Sequence, residues 1–322
     1  MPYWAVGDVE GELARVRALR ANPPGLAADD PDRRSVFGAA LEQFEQLLRA
    51  AEVSGPASAP LPLFYALSQA GRAIAADRMT DPARWNYAGH GIKPPEGGYP
   101  PSIGDTELIP QKSGKSAFRV VSESTRSPLL ETNTAVRLGE LWASLPQTQV
   151  TQDLGGGLCR AIQVHPESGS TRDGGHASIR VPLGPHRDRL ADLLASYPAL
   201  REPKMKVIVD GGPPGSTDEV RAGVFWTLGG ATIDEIFETY WSESALYLRP
   251  AVAGQPPPSI LMTWWAVLFA LSHLARYAPA VWTQAIRPDS SALTVPIEEG
   301  LRLAKVNLPR LVYHGITGSW AG

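Results

Sequence analysis

A single cysteine, Cys159, among 322 residues forbids an intrachain disulfide. With no Cys-x-x-Cys pair beside it, the chain offers no structural zinc motif and reads as a protein of a reducing compartment. The histidines stand at 90, 165, 176, 186, 273 and 314, without His-x-His, His-x-x-x-His or His-Glu-x-x-His spacing, so no local motif asks for a metal. A Gly-x-Ser-x-Gly nucleophile elbow is missing too. Basic residues are not in excess: 30 Lys and Arg against 33 Asp and Glu give a net charge of −3. That excludes a globally basic nucleic-acid binder and leaves room only for a local basic patch. No apolar run reaches the roughly 20 residues of a bilayer span. The longest, residues 260–271, meets Ser272, His273 and Arg276 and reads as a buried core helix. The N-terminal MPYWAVGDVEGELARV lacks the basic and apolar stretches of a secretory signal. The expectation is a cytoplasmic protein with no membrane association and no cofactor.

What is present is a globular composition, 43% hydrophobic and 20% charged, which excludes global disorder. Thirty-one glycines and 30 prolines cut the chain into short elements. Three zones emerge. Residues 1–103 read as helical: Asp8 precedes Val9, Leu13, Val16 and Leu19, residues 35–51 carry a stripe of Phe37, Leu41, Phe44, Leu47 and Leu48, and residues 63–77 form a strongly apolar helix. Residues 104–250 are β-rich. Runs at 118–121, 161–164, 177–181 and 206–209 look like strands, Gly-rich turns fall at 155–157, 174–175 and 211–214, and helices are expected at 136–145 and 187–197. Residues 251–322 return to helix, with Ser259 capping 260–277, Pro279 stopping it, a further helix from about 296 to 303 or a little beyond, and a tail from Leu308 that is able to resume helix after the break at Pro309. The predicted class is α+β: mainly helical N- and C-terminal parts packing together with a small β-rich middle section, as one compact unit.

Three phrases are distinctive together: LFYALSQAGRAI at 63–74, YAGHGI at 87–92 and LFALSHLARYAPAVW at 268–282. With LIPQKSGKSAF at 108–118, their order and spacing resemble the YaaC-like family of bacterial proteins over about residues 60–315. That resemblance implies a cytoplasmic bacterial protein and carries no known activity or catalytic residue. The phrase at 63–77 also resembles the core helix of HEPN domains, small helical bundles that are often RNA-binding or ribonucleolytic and commonly pair. That second resemblance implies a homodimer.

Arg84 and His90 enclose five residues, a spacing similar to that of the Arg and His of HEPN ribonucleases. A histidine near neutrality can move the proton of a ribose 2′-hydroxyl, and an arginine can hold the phosphate. Pro82, Gly89 and Gly91 suggest a loop around the pair, where His90 would serve only to brace a turn. Lys112, Gly114, Lys115 and Ser116 invite a phosphate-loop reading, but the motif needs glycine where Ile109 stands. What is left is a short basic loop. His273 and Arg276 share a helix face at i and i+3, either as a structural cap or as a ligand-facing pair. Trp85, beside Arg84, is a candidate stacking surface, whereas Trp264 and Trp265 belong to the core helix. Two functions stay open. One is a non-catalytic binding or scaffold module for RNA, a nucleotide or a protein partner. The other is a metal-independent HEPN-type ribonuclease using His90 and Arg84.

Overall fold

The computed structural model describes residues 8–94, 98–150, 153–155, 159–166, 174–182, 195–201, 205–210, 219–227, 238–239 and 246–318. It opens with α1 (Val9–Ala21), α2 (Gly25–Asp29), α3 (Pro31–Glu52) and α4 (Pro60–Arg78). Acids start two of these. The Asp8 carboxylate accepts the Gly11 N–H at 2.9 Å, and Asp30 accepts those of Asp32 and Arg33 at 2.9 and 3.2 Å, answering donors that a helix start leaves free. Helix α3 buries Phe37, Leu41, Phe44 and Leu48 along one stripe. Helix α4 carries five alanines and Gly71, so its neighbours approach closely.

The C-terminal part holds α7 (Ile260–Tyr277), α8 (Pro279–Ala285) and α9 (Thr294–Thr317), numbered after α5 and α6 below. Helix α7 has the length and apolarity of a membrane span, and its residues from Ile260 to Ser272 are buried inside the protein. It packs antiparallel to α4. Phe64, near the start of α4, lies 5.4 Å from Phe269, and Gly71 further along meets Trp265.

Between them lie two antiparallel sheets. The first, β1 (Ile92–Lys93), β2 (Glu107–Pro110) and β3 (Val136–Arg137), runs in that order, with Ile92 opposite Pro110 and Leu108 opposite Val136. Helices α5 (Ala117–Ser124) and α6 (Leu138–Ala143) accompany it. The second comprises β4 (Ile162–Pro166), β5 (Gly174–Pro182), β6 (Met205–Asp210), β7 (Glu219–Thr227), β8 (Glu238–Thr239) and β9 (Leu246–Leu248), in the order β6-β7-β5-β4-β9-β8. The class is α+β, as expected from the zones.

Several local expectations are corrected. Residues 118–121 are helical within α5, because Ala117, Phe118, Val120, Val121 and Ser124 bury one face at helical spacing. Residues 136–145 begin as strand β3 and only then turn into α6. Gly174 and Gly175 open β5, paired with Thr227 and Trp226, where a turn was expected. Helix α9 continues through Pro309 to Thr317. The proline forgoes one backbone bond, but buried Leu308, Leu311 and Val312 on either side hold the helix to the core. Pro279 does end α7 and also opens α8, where its missing N–H is not needed. Residues 187–194 of the helix expected at 187–197 and the Gly-rich turn at 211–214 lie outside the described residues, as do Gly156 and Gly157.

One buried carboxylate sets a pH dependence. Asp77, 4% exposed near the end of α4, faces the start of α2, where its Oδ1 has no hydrogen-bond partner. Burial pushes its pKa up from 3.8 to about 6, against the pull of Arg78, the Ala27 amide and Arg33. The folded state thus holds this proton more tightly than the unfolded chain does. The stabilisation it brings is complete below pH 3.8 and disappears as the pH rises through about 6. Asp77→Asn is therefore expected to be more stable than wild type at pH 7.5, by roughly 2–3 kcal/mol, with the gap narrowing at pH 4.5. Urea melts at the two pH values check this, and equal stabilities at pH 7.5 would contradict it.

Candidate functional site

Antiparallel packing of α4 on α7 brings the first turns of one beside the last turns of the other. Along α7, Trp265, Phe269, His273 and Tyr277 recur at i, i+4, i+8 and i+12, with Arg276 on the same side. The stripe is buried at Trp265 and reaches solvent at Tyr277, which is 60% exposed. Helix α4 contributes Phe64, Tyr65 and Arg72. The third contribution is the turn carrying His90. Four backbone bonds stitch that turn to the 111–118 segment: Ala88 N–H to the Lys115 carbonyl, Gln111 N–H to Gly91, Ala117 N–H to Gly89, and Phe118 N–H to His90, at 2.9–3.2 Å. Gly91 is required there. Its φ is +79°, and a Cβ would sit 2.5 Å from Ser116 Oγ.

The rings form a continuous cluster. His90 lies 5.4 Å from Phe64 and 5.8 Å from Phe269. His273 lies 5.8 Å from Phe269, 4.4 Å from Tyr277 and 5.9 Å from Tyr99. The Tyr99 hydroxyl bonds His273 Nδ1, which leaves Nε2 without a hydrogen bond among the described residues. Arg276 donates to the Tyr65 hydroxyl at 2.7 Å and lies over the Tyr277 ring at 4.9 Å. Arg72 lies over Tyr87 at 5.2 Å.

The electrostatics have one sign. Partial burial, then the charges of Arg276 and Arg72, hold the His90 pKa below the ordinary imidazole value. Burial, then Arg276 and His90, does the same to His273. Burial, with the neighbouring Tyr277, pushes Tyr99 up to about 12. No carboxylate offsets these effects. Among the described residues no Asp or Glu pairs with Arg72, Arg276, Lys112 or Lys115. Both lysines are exposed, on the loop that is bonded to the His90 turn.

Of the residues singled out in the sequence, the structure thus brings His90, His273 and Arg276 to one face, with Lys112 and Lys115 on the adjoining loop. Arg84 and Trp85 make other contacts. Residues 84–90 form turns and bends, so Arg84 and His90 do not share a helix face. Arg84 donates to the Gly114 carbonyl at 2.7 Å and pairs with Glu123 at 2.7 Å. Burial pushes the Glu123 carboxyl up, but Arg84 and Arg119 outweigh it and bring its pKa below the ordinary range. Trp85 is half-buried under Arg33, whose guanidinium lies 5.0 Å from the ring and donates to the Ala76 and Met79 carbonyls. Tyr65, Arg72, Tyr99 and Tyr277 complete the face. The i, i+4 spacing from Phe269 through His273 signals Tyr277, and Tyr65 and Arg72 lie within the 63–74 phrase. Tyr99 sits in a Pro/Gly loop with no periodic signal.

Among the described residues no three His, Cys, Asp or Glu side chains gather as a metal site would require. No curated protein and no solved structure matches the chain. The model of one family, described as YaaC-like protein, matches residues 22–316. That span includes every residue of the site and nearly the whole chain, and the chain belongs to the YaaC-like family.

Proposed function

We propose that the face built by α4, α7 and the His90 turn binds single-stranded RNA. The observation that carries this reading is the interleaving of unpaired cations with accessible rings. Arg72, Arg276, Lys112 and Lys115 have no carboxylate partner among the described residues, and Tyr65, His90, Tyr99, His273 and Tyr277 lie among or beside them. Cations follow a phosphate backbone, while rings accept bases of any sequence by stacking, at about 1–3 kcal/mol per base. Several rings and several cations suit a chain of nucleotides better than a single one. A local patch of this kind is compatible with a net charge of −3.

Fluorescence anisotropy with a labelled single-stranded RNA tests it. Binding should weaken steeply as salt rises. Arg276→Glu should weaken it by more than tenfold, since a charge-assisted contact contributes roughly 1.5–3 kcal/mol. Arg302→Glu, the same change of charge on an arginine already paired with Glu299 at 2.6 Å, should weaken it far less. RNA that fails to bind, or binds both variants equally, overturns the reading. Binding of a free nucleotide or a protein in place of RNA would do the same.

A further inference from the structure

Both imidazoles of the face pack on one ring, each with its centroid 5.8 Å from that of Phe269, and the charge of His90 is felt at His273. Their surroundings differ in one respect. His90 has no side-chain hydrogen bond among the described residues, so both its nitrogens are open. His273 has Nδ1 occupied by the Tyr99 hydroxyl. Arg276 uses Nη1 on Tyr65 and has no carboxylate partner among the described residues. RNA brings its own nucleophile, the 2′-hydroxyl. Its cleavage therefore needs only a base, an acid and a cation on the phosphate.

We propose that His90 and His273 are an acid–base pair that cleaves single-stranded RNA, with Arg276 holding the scissile phosphate. This rests on the RNA-binding reading above and replaces Arg84 by His273 as the partner of His90. Neutral His90 takes the proton of the 2′-hydroxyl as that oxygen attacks phosphorus. Protonated His273 gives its Nε2 proton to the 5′-oxygen as the P–O5′ bond breaks. The products are a 2′,3′-cyclic phosphate and a 5′-hydroxyl, and the two histidines exchange protonation states until solvent resets them. No oxidant, reductant or metal enters the balance. The roles follow from the neighbours. Arg276 acts on both rings, and Arg72 acts on His90 alone, which favours a neutral His90, as a base requires. The Tyr99 oxygen can accept the Nδ1–H of a protonated His273, as an acid requires. The charged and titratable groups facing the pair are Arg72, Arg276, Tyr65, Tyr99 and Tyr277. The arginines depress the protonated population, so cleavage should be faster at pH 6 than at pH 8.

The test incubates end-labelled single-stranded RNA in EDTA with wild type, His90→Ala, His273→Ala and Arg276→Ala, after each variant is shown to melt like wild type. A 2′-O-methylated RNA of the same sequence reports binding alone. Wild type is expected to leave 2′,3′-cyclic phosphate ends and to spare the methylated RNA. Each histidine variant, at protein concentrations that saturate the RNA, should cut at least ~100-fold more slowly, the usual scale of a lost acid or base, with binding of the methylated RNA weakened only by the loss of one stacking ring. Arg276→Ala should lose both properties. If wild type binds the methylated RNA and cuts nothing between pH 5 and 8, the acid–base pair is refuted and the binding reading survives. If nothing is bound, both fall. Cleavage that persists in His273→Ala, or that EDTA abolishes, also refutes the pair.

Discussion

Gly71→Ala is expected to destabilise the protein by roughly 1–2 kcal/mol, whereas Gly38→Ala in α3 stabilises it by about 0.5–1 kcal/mol. Both replace a helical glycine, and each gains up to about 1 kcal/mol of helix propensity. The difference lies in the space outside the helix. A Cβ at residue 71 would lie 2.5 and 2.6 Å from two ring atoms of Trp265 and 3.0 Å from Val121 Cγ2, whereas one at residue 38 meets nothing within 4 Å. Trp265 is fully buried, so its ring has nowhere to retreat, and overpacking costs roughly 1–3 kcal/mol. The effect should reach the site, because Trp265 stands edge-on to Phe64 at 6.2 Å and Phe64 in turn supports His90. Gly71→Ala should therefore also weaken RNA binding, while Gly38→Ala leaves it unchanged. Paired urea melts and anisotropy titrations check both halves, and two shifts of the same sign in stability would contradict the packing argument.

Arg249→Met is expected to cost more, about 3–5 kcal/mol, because it leaves several buried acceptors without their donor at roughly 1–3 kcal/mol each. Arg249 follows β9 directly and is 5% exposed. Its Nε donates to the Ser144 carbonyl at 2.8 Å, Nη1 to the Pro258 carbonyl at 2.6 Å and Nη2 to Thr263 Oγ1 at 2.7 Å. One planar group thus joins the end of α6, the approach to α7 and the first turn of α7 itself. Methionine fills much of the volume but leaves the Ser144 carbonyl with no side-chain donor. Arg249→Lys should recover only part of the loss, since an ammonium cannot reproduce the fork. Thermal melts rank the three proteins, and a methionine variant as stable as the lysine one would show that the fork is dispensable.

The long helices were legible because their signals are local. Ser259 caps α7, the apolar run fixes its length, and the i, i+3 spacing put His273 and Arg276 on one face. Phe118-Arg-Val-Val misled because a short β-branched run suits a strand as well as a helix turn, and only its packing on the core decides between them. Arg84 and Trp85 looked functional by residue type, yet that type serves equally to tie a loop to Glu123 or to cover Arg33. Tyr99 had no local signal at all. Its hydroxyl matters because the fold sets it against a histidine 174 residues away. His90 was visible as a candidate, but its partner was not, since nothing in the 84–92 segment points toward residue 273.

Tyr65 and Arg276, bonded side chain to side chain, stand 211 residues apart in the chain. A ligand lying across both would act as a clasp on that long loop, and its grip would be lost on unfolding. Occupancy should therefore appear as thermal resistance, about 2.7 kcal/mol when the ligand is present at a hundred times its Kd. A library of oligonucleotides and small anions can accordingly be ranked by melting temperature alone. The face would report its natural occupant even if no bond in that occupant is ever broken.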